Sequence, residues 1–143
     1  MVDDETLKNI YRQARTIAVV GLSPYPDRPS FQVASYLKKQ GYRVIPVNPK
    51  CELVLGEKCC ADLTVVQELL GVGKIDIVDI FRRSELVLPH VLEAVKVGAK
   101  VVWMQEGIMH QEAAKTAEAT GLTVIMDRCI MKEHMTLFGG GKS

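Results

Sequence analysis

The sequence predicts an α/β domain of the doubly wound, Rossmann-like kind: a five-stranded, mostly parallel sheet with helices on both faces. Three observations predict it. Five short segments are rich in β-branched and aliphatic residues, and amphipathic segments alternate with them. The strands start roughly 23 to 33 residues apart, which is the rhythm of βαβ units. Most read as near-continuous apolar runs, as strands covered on both faces do.

Taken in order, Asp3 to Arg15 places Leu7, Ile10, Tyr11 and Ala14 on one face, so a helix precedes the first strand. Thr16 to Leu22 is that strand. Phe31, Val33, Ala34, Tyr36 and Leu37 then follow helical spacing up to Gly41, and Arg43 to Val47 is the second strand. Leu63 to Leu70, Glu85 to Val97 and Gln111 to Ala119 are helices that stop at Gly71, Gly98 and Gly121. Asp76 to Phe81, Lys100 to Met104 and Thr123 to Met126 are the remaining strands. No linker or repeat divides residues 1–143, so one domain is expected, with 139–143 as a flexible tail. Gly141-Lys142-Ser143 mimics the end of a phosphate loop, but Thr136 stands where that motif needs its first glycine.

Composition bounds the function. With 48% hydrophobic and 24% charged residues among 143, the chain is an ordinary globular domain that needs no disulfide framework. A net charge of +1 supplies no broad positive field, so no nucleic-acid partner is expected. The apolar runs are far shorter than the roughly 20 residues of a membrane span, so no membrane partner is expected either. Met1-Val2-Asp3-Asp4-Glu5 is acidic where a secretory signal is basic and then apolar; a cytoplasmic location follows as the expectation.

In open α/β sheets, ligands bind beyond the carboxyl ends of the strands, so the strand exits carry the functional reading. After the first strand, Gly21 permits a tight turn, and Ser30 lies near a helix start whose unpaired amides attract anions. Pro29 suits the first helical position, and Arg28 can grip phosphate with two hydrogen bonds. Ser23 and Pro24 replace the further glycines of a dinucleotide fingerprint, which weakens a reading as an NAD site. At the second exit, Asn48-Pro49 stands where NAD enzymes place an acid. An uncharged amide there, with Lys50 beside it, tolerates a phosphorylated ribose and so favours coenzyme A over NAD. NADP also carries a ribose phosphate, so an NAD(P)-dependent oxidoreductase is the alternative.

These exits, together with Asp79-Ile80-Phe81-Arg82-Arg83, Trp103-Met104-Gln105-Glu106-Gly107-Ile108 and Asp127-Arg128-Cys129-Ile130-Met131-Lys132-Glu133-His134, resemble the small stand-alone CoA-binding family. That family is similar to the nucleotide-binding domain of the succinyl-CoA synthetase α-subunit. The resemblance implies a Rossmann-type fold with coenzyme A as cofactor and CoA or an acyl-CoA as partner; a non-catalytic binding module is the expectation drawn from it, with enzymatic activity left open. It implies Gly21, Ser23, Arg28 and Ser30 at the phosphates, Asn48 and Pro49 beside the adenosine, and Phe81, Arg82 and Gln105 as further walls. A protein partner or a homodimer stays open, and no catalytic residue is assigned.

Cys51, Cys59, Cys60 and Cys129 form no Cys-x-x-Cys knuckle, and no nearby histidine pair completes a ligand set, so no metal site is expected. Adjacent Cys59 and Cys60 read as ordinary thiols. Cys129 follows Arg128 at a strand exit, where a cation favours the thiolate; the competing reading is a small buried residue. Near the thiol of bound CoA, it would form a mixed disulfide under oxidation. His110 reads as beginning or capping a helix, and Trp103 as core.

Overall fold

Short apolar strands joined by helices bury both faces of a sheet, and the computed structural model has that form over the described residues, 2–139. Strands β1 (Thr16–Val20), β2 (Arg43–Val47), β5 (Ile77–Ile80), β6 (Val101–Met104) and β7 (Thr123–Ile125) form one sheet in the order β2-β1-β5-β6-β7. All four pairings are parallel, with Val20 opposite both Val47 and Ile80. The chain crosses from one side of β1 to the other at β5, so the switch point lies between the exits of β1 and β5.

Alternation along the strands divides the core. Ala18, Val20, Val78, Ile80 and Val102 face helices α3 (Leu63–Leu70), α4 (Val87–Lys96) and α5 (Gln111–Ala119). Ile17, Val19, Ile77, Val101 and Trp103 face α1 (Asp4–Gln13), α2 (Pro29–Lys39) and α6 (Ile130–Phe138). The helix ends explain their bounds. Asp3 caps α1 by accepting from the Thr6 amide, Asp62 caps α3 through Val65, and His110 caps α5 through Ala113.

Two elements are absent from the sequence reading. Helix α6 follows β7 directly, burying Ile130 and His134 one turn apart. A two-stranded antiparallel hairpin, β3 (Leu53–Val54) and β4 (Glu57–Lys58), leaves β2 and returns to it. The predicted strands overrun the observed ones by one or two residues: Gly21, Leu22 and Phe81 belong to loops, and Asp76 precedes β5. The expected tail lies outside the described residues beyond Gly139, which itself closes α6 in the left-handed conformation.

Asp76 ties the amino edge together. Its carboxylate accepts from the Arg15 and Thr16 amides at 2.8 and 3.0 Å and from Lys100 Nζ at 2.9 Å. At the other edge, Trp103 Nε1 donates to Arg128 O at 2.8 Å and Tyr11 Oη to Ile130 O at 2.7 Å. Those two bonds fix where α6 begins. No helix among the described residues is long and apolar enough to cross a membrane.

Candidate functional site

The first strand leaves the sheet through Gly21, whose φ of +83° belongs to glycine. A Cβ there would lie 2.5 Å from Phe81 O, so the exits of β1 and β5 approach more closely than a side chain allows. The loop that follows is closed from within. Ser30 Oγ accepts from the Ser23 amide at 3.0 Å, and Ser23 Oγ from the Tyr25 amide at 3.1 Å. Ser30 is the second residue of α2, not its cap; Arg28 occupies the cap position without a side-chain bond, and Pro29 comes next.

That arrangement leaves donors free at the start of α2. Pro29 has no amide proton, the Gln32 amide is the first to bond back into the turn, and the Ser30 and Phe31 amides find no acceptor among the described residues. Helix dipole and free donors point together into the space beyond β1. The Arg28 guanidinium is exposed and has no ion-pair partner among the described residues.

Asn48 holds the second exit. Its Nδ2 donates to Leu22 O at 3.0 Å, its Oδ1 accepts from the Lys50 amide at 2.9 Å, and its own amide donates to Cys60 O. Each end of the side chain is thus used to join the β1 and β2 loops. Asn48 shapes the site more than it offers groups to a ligand.

Three adjoining hollows run along this edge, and Phe81 lines all of them. One of about 540 Å³ holds Ser23, Arg28, Ser30 and Lys50 around the α2 N-terminus. A second of about 360 Å³ lies over the switch point between Pro49, Ala61, Arg82 and His90. A third of about 660 Å³ is bounded by Val33, Ile108, Cys129 and Met131, with Gln105 in its wall. The nine residues singled out in the sequence, from Gly21 to Gln105, each border at least one of these three hollows.

Their roles differ. Gln105 is buried, and its Oε1 accepts from the Ile130 amide at 3.1 Å, so it fixes the start of α6. Burial first, and then the Arg82 charge, lowers the pKa of His90, which favours a neutral imidazole. Arg128 pairs with Glu133 at 3.4 Å and reaches Val2 O, so its charge is engaged away from Cys129, which is buried. Glu106 is bound to Lys132 at 2.8 Å, and Arg83 lies 3.9 Å from Glu85. Ile108 and Met131 stand in the sequence reading only within longer motifs and without a role, and His90, inside α4, carries no sequence signal for the site.

The family model described as "CoA binding domain" matches residues 15–135. An uncharacterised protein of Bacillus subtilis, YneT, is 43% identical over 129 residues, covering 90% of this chain and 91% of that one. The crystal structure of Prb, described as PH1109 protein redesigned for binding, superposes with a TM-score of 0.89 at 40% identity, over 97% of this chain and 94% of that one. A hypothetical protein of Pyrococcus horikoshii OT3 gives a TM-score of 0.87 at 42% identity, over 96% and 94% of the two chains.

Proposed function

This chain belongs to the CoA binding domain family, and from that premise we propose that it binds coenzyme A or an acyl-CoA along the carboxyl edge of its sheet, as a binding module without chemistry of its own. The observation that carries the reading is the free N-terminus of α2 opening into a hollow that continues in both directions past Phe81. The diphosphate lies on the Ser30 and Phe31 amides with Arg28 alongside. Adenosine occupies the switch-point hollow beside Pro49 and His90, where Lys50 and Arg82 suit the ribose phosphate. The pantetheine arm runs the other way, across Phe81 and between Val33, Ile108 and Met131, and brings its thiol toward Cys129.

The chemistry of each hollow supports that order. Arg28 and Lys50 border the hollow given to the diphosphate, Lys50 and Arg82 the one given to the adenosine, and Val33, Phe81, Ile108 and Met131 offer the arm apolar contacts in a hollow that Arg82, Arg83 and Lys132 also line. The adenosine end of NADP would meet the same groups, and its nicotinamide would then lie in the third hollow, so binding itself has to separate the two cofactors.

A thermal-shift comparison of CoA, acetyl-CoA, NAD, NADP and ATP tests the assignment. Ligand at about 100 times its dissociation constant stabilises by roughly 2.7 kcal/mol. For a domain near this size, that is a rise of about 5 to 10 °C. A rise with CoA or acetyl-CoA alone supports the reading; a rise with NADP alone replaces it with the oxidoreductase.

A further inference from the structure

Beside the phosphate hollow stands a pair of thiols that the proposed binding does not use. After Asn48 the chain passes Cys51 into β3, turns at Leu55 and Gly56, where φ is +51° and +81°, and returns through β4 to Cys59. The Cys59 amide donates to Glu52 O at 2.9 Å, which closes the base of the hairpin. Lys38 Nζ donates to Leu55 O at the turn, and Arg43 meets Glu57 at 3.1 Å on the return strand.

The hairpin brings Cys51 Sγ and Cys59 Sγ to 2.8 Å, nearer than two sulfurs stand in ordinary contact. Both are free thiols and half-buried. Cys60, next in sequence, points the other way: it packs in the core under α3 and α4, whereas Cys51 and Cys59 pack on the α2 side. Adjacent cysteines are thereby sorted, and Cys51 meets only one of them. Cys51 also lines the hollow that holds Arg28 and Lys50, so a small solute can reach it.

We propose that Cys51 and Cys59 form a redox-active dithiol that is oxidised to an intramolecular disulfide by low-molecular-weight disulfides. The Cys51 thiolate attacks one sulfur of the solute disulfide and expels the other as a thiolate, which takes up a proton. Cys59 then gives its proton to solvent and attacks Cys51 Sγ, forming the Cys51–Cys59 bond and expelling the second solute thiolate. Two protein thiols are oxidised and one disulfide is reduced to two thiols. Burial, followed by the hydrogen bond and charge of Cys51, pushes the Cys59 thiol up to about 12, so Cys59 keeps its proton while Cys51 attacks. Once Cys51 is in a mixed disulfide, its charge no longer opposes ionisation of Cys59. Forming the bond requires the sulfurs to close from 2.8 Å to about 2.05 Å, a shift within reach of side-chain rotation. The proposal holds whatever ligand the neighbouring hollow takes.

The test uses the full chain, reduced, freed of reductant and incubated with glutathione disulfide, then acid-quenched, alkylated and mapped by peptide mass spectrometry. The expected product lacks two hydrogens, carries the Cys51–Cys59 cross-link and has Cys60 and Cys129 alkylated. Cys59→Ser should instead accumulate a glutathione adduct on Cys51, and Cys51→Ser should react at least tenfold more slowly. A wild-type chain that remains fully alkylated, that keeps a stable adduct on Cys51, or that reacts only at Cys60 or Cys129 would overturn the proposal.

Discussion

Gln105 Oε1 accepts the Ile130 amide at 3.1 Å, so a side chain leaving β6 holds the first residue of α6. Ile130 is fully buried, and its carbonyl takes the Tyr11 hydroxyl. Cys129 and Met131, on either side of Ile130, both line the apolar hollow. One hydrogen bond therefore sets the position of a wall of the candidate site. Gln105 acts there by positioning that wall.

Gln105→Ala leaves a buried donor unpaired and should cost about 1 to 3 kcal/mol of stability, measured by urea unfolding. Gln105→Glu keeps an acceptor and should lose less at a pH low enough to keep the buried carboxyl protonated. Equal losses would mean that the acceptor is not what the position requires.

Arg28→Ala should weaken CoA binding by about 1.5 to 3 kcal/mol, the scale of a hydrogen bond to a charged group, and leave the melting temperature of the free protein unchanged. The side chain is exposed and contributes no ion pair among the described residues, so the two readouts should separate. Calorimetry showing undiminished affinity would remove Arg28 from the phosphate site.

Gly21→Ala places a Cβ 2.5 Å from Phe81 O at a φ of +83°. Strain of this kind costs on the order of 1 to 3 kcal/mol, and the clash with a backbone atom adds to it. Both stability and CoA affinity should fall, because relief requires the β1 and β5 exits to part. A stable variant with normal affinity would show that the close approach is dispensable.

Asp79 gives a pH signature. It is fully buried in the middle of β5, its two carboxyl oxygens have no hydrogen-bond partner among the described residues, and burial holds its pKa well above the ordinary range. The folded state thus retains a proton that the unfolded state releases near pH 4. Stability from this group is full below that pH and is lost as pH rises toward the folded pKa. Asp79→Asn should remove the loss, and its stability relative to wild type should climb by up to about 1.4 kcal/mol per pH unit above pH 4. The constant cost of an unpaired amide does not alter that slope. Parallel pH profiles for the two proteins would contradict the assignment.

Asp76 has the opposite sign. Burial alone would raise its carboxyl, but the Lys100 bond and the Thr16 and Arg15 amides together hold it below the usual value. Its contribution is present above the unfolded pKa of about 4 and should be lost as pH falls through the lower folded value. Asp76→Asn should therefore flatten the acid limb of the stability profile; an unchanged limb would assign acid sensitivity to other carboxylates.

The parts of the fold legible in the sequence were those with strong periodicity. The bounds of α3 and α5 agree with the reading residue for residue, and His110 caps α5 as expected. The sequence reading carries the chain past the Asp127-Arg128-Cys129 exit without assigning α6; the spacing of Ile130, His134 and Leu137 is the signal for it. The β3–β4 hairpin was missed for a different reason. Its strands are two residues long, and Leu55, at φ +51°, is not a residue that announces a turn. Within the site, residue type pointed to Arg28 and Gly21. It could not reveal that Asn48 and Gln105 use their side chains to hold loops together, because those bonds join segments distant in sequence, nor that Ser30 turns its hydroxyl back onto Ser23 within its own loop.

Backbone amide NMR during titration with CoA tests the central claim most directly. The phosphate placement predicts that the largest shifts fall on Ser30 and Phe31, with smaller ones at Gly21 and Ser23, and that the amino edge around Thr16 and Asp76 stays still. Saturating CoA that moves none of these amides, or shifts confined to the amino edge, would contradict it.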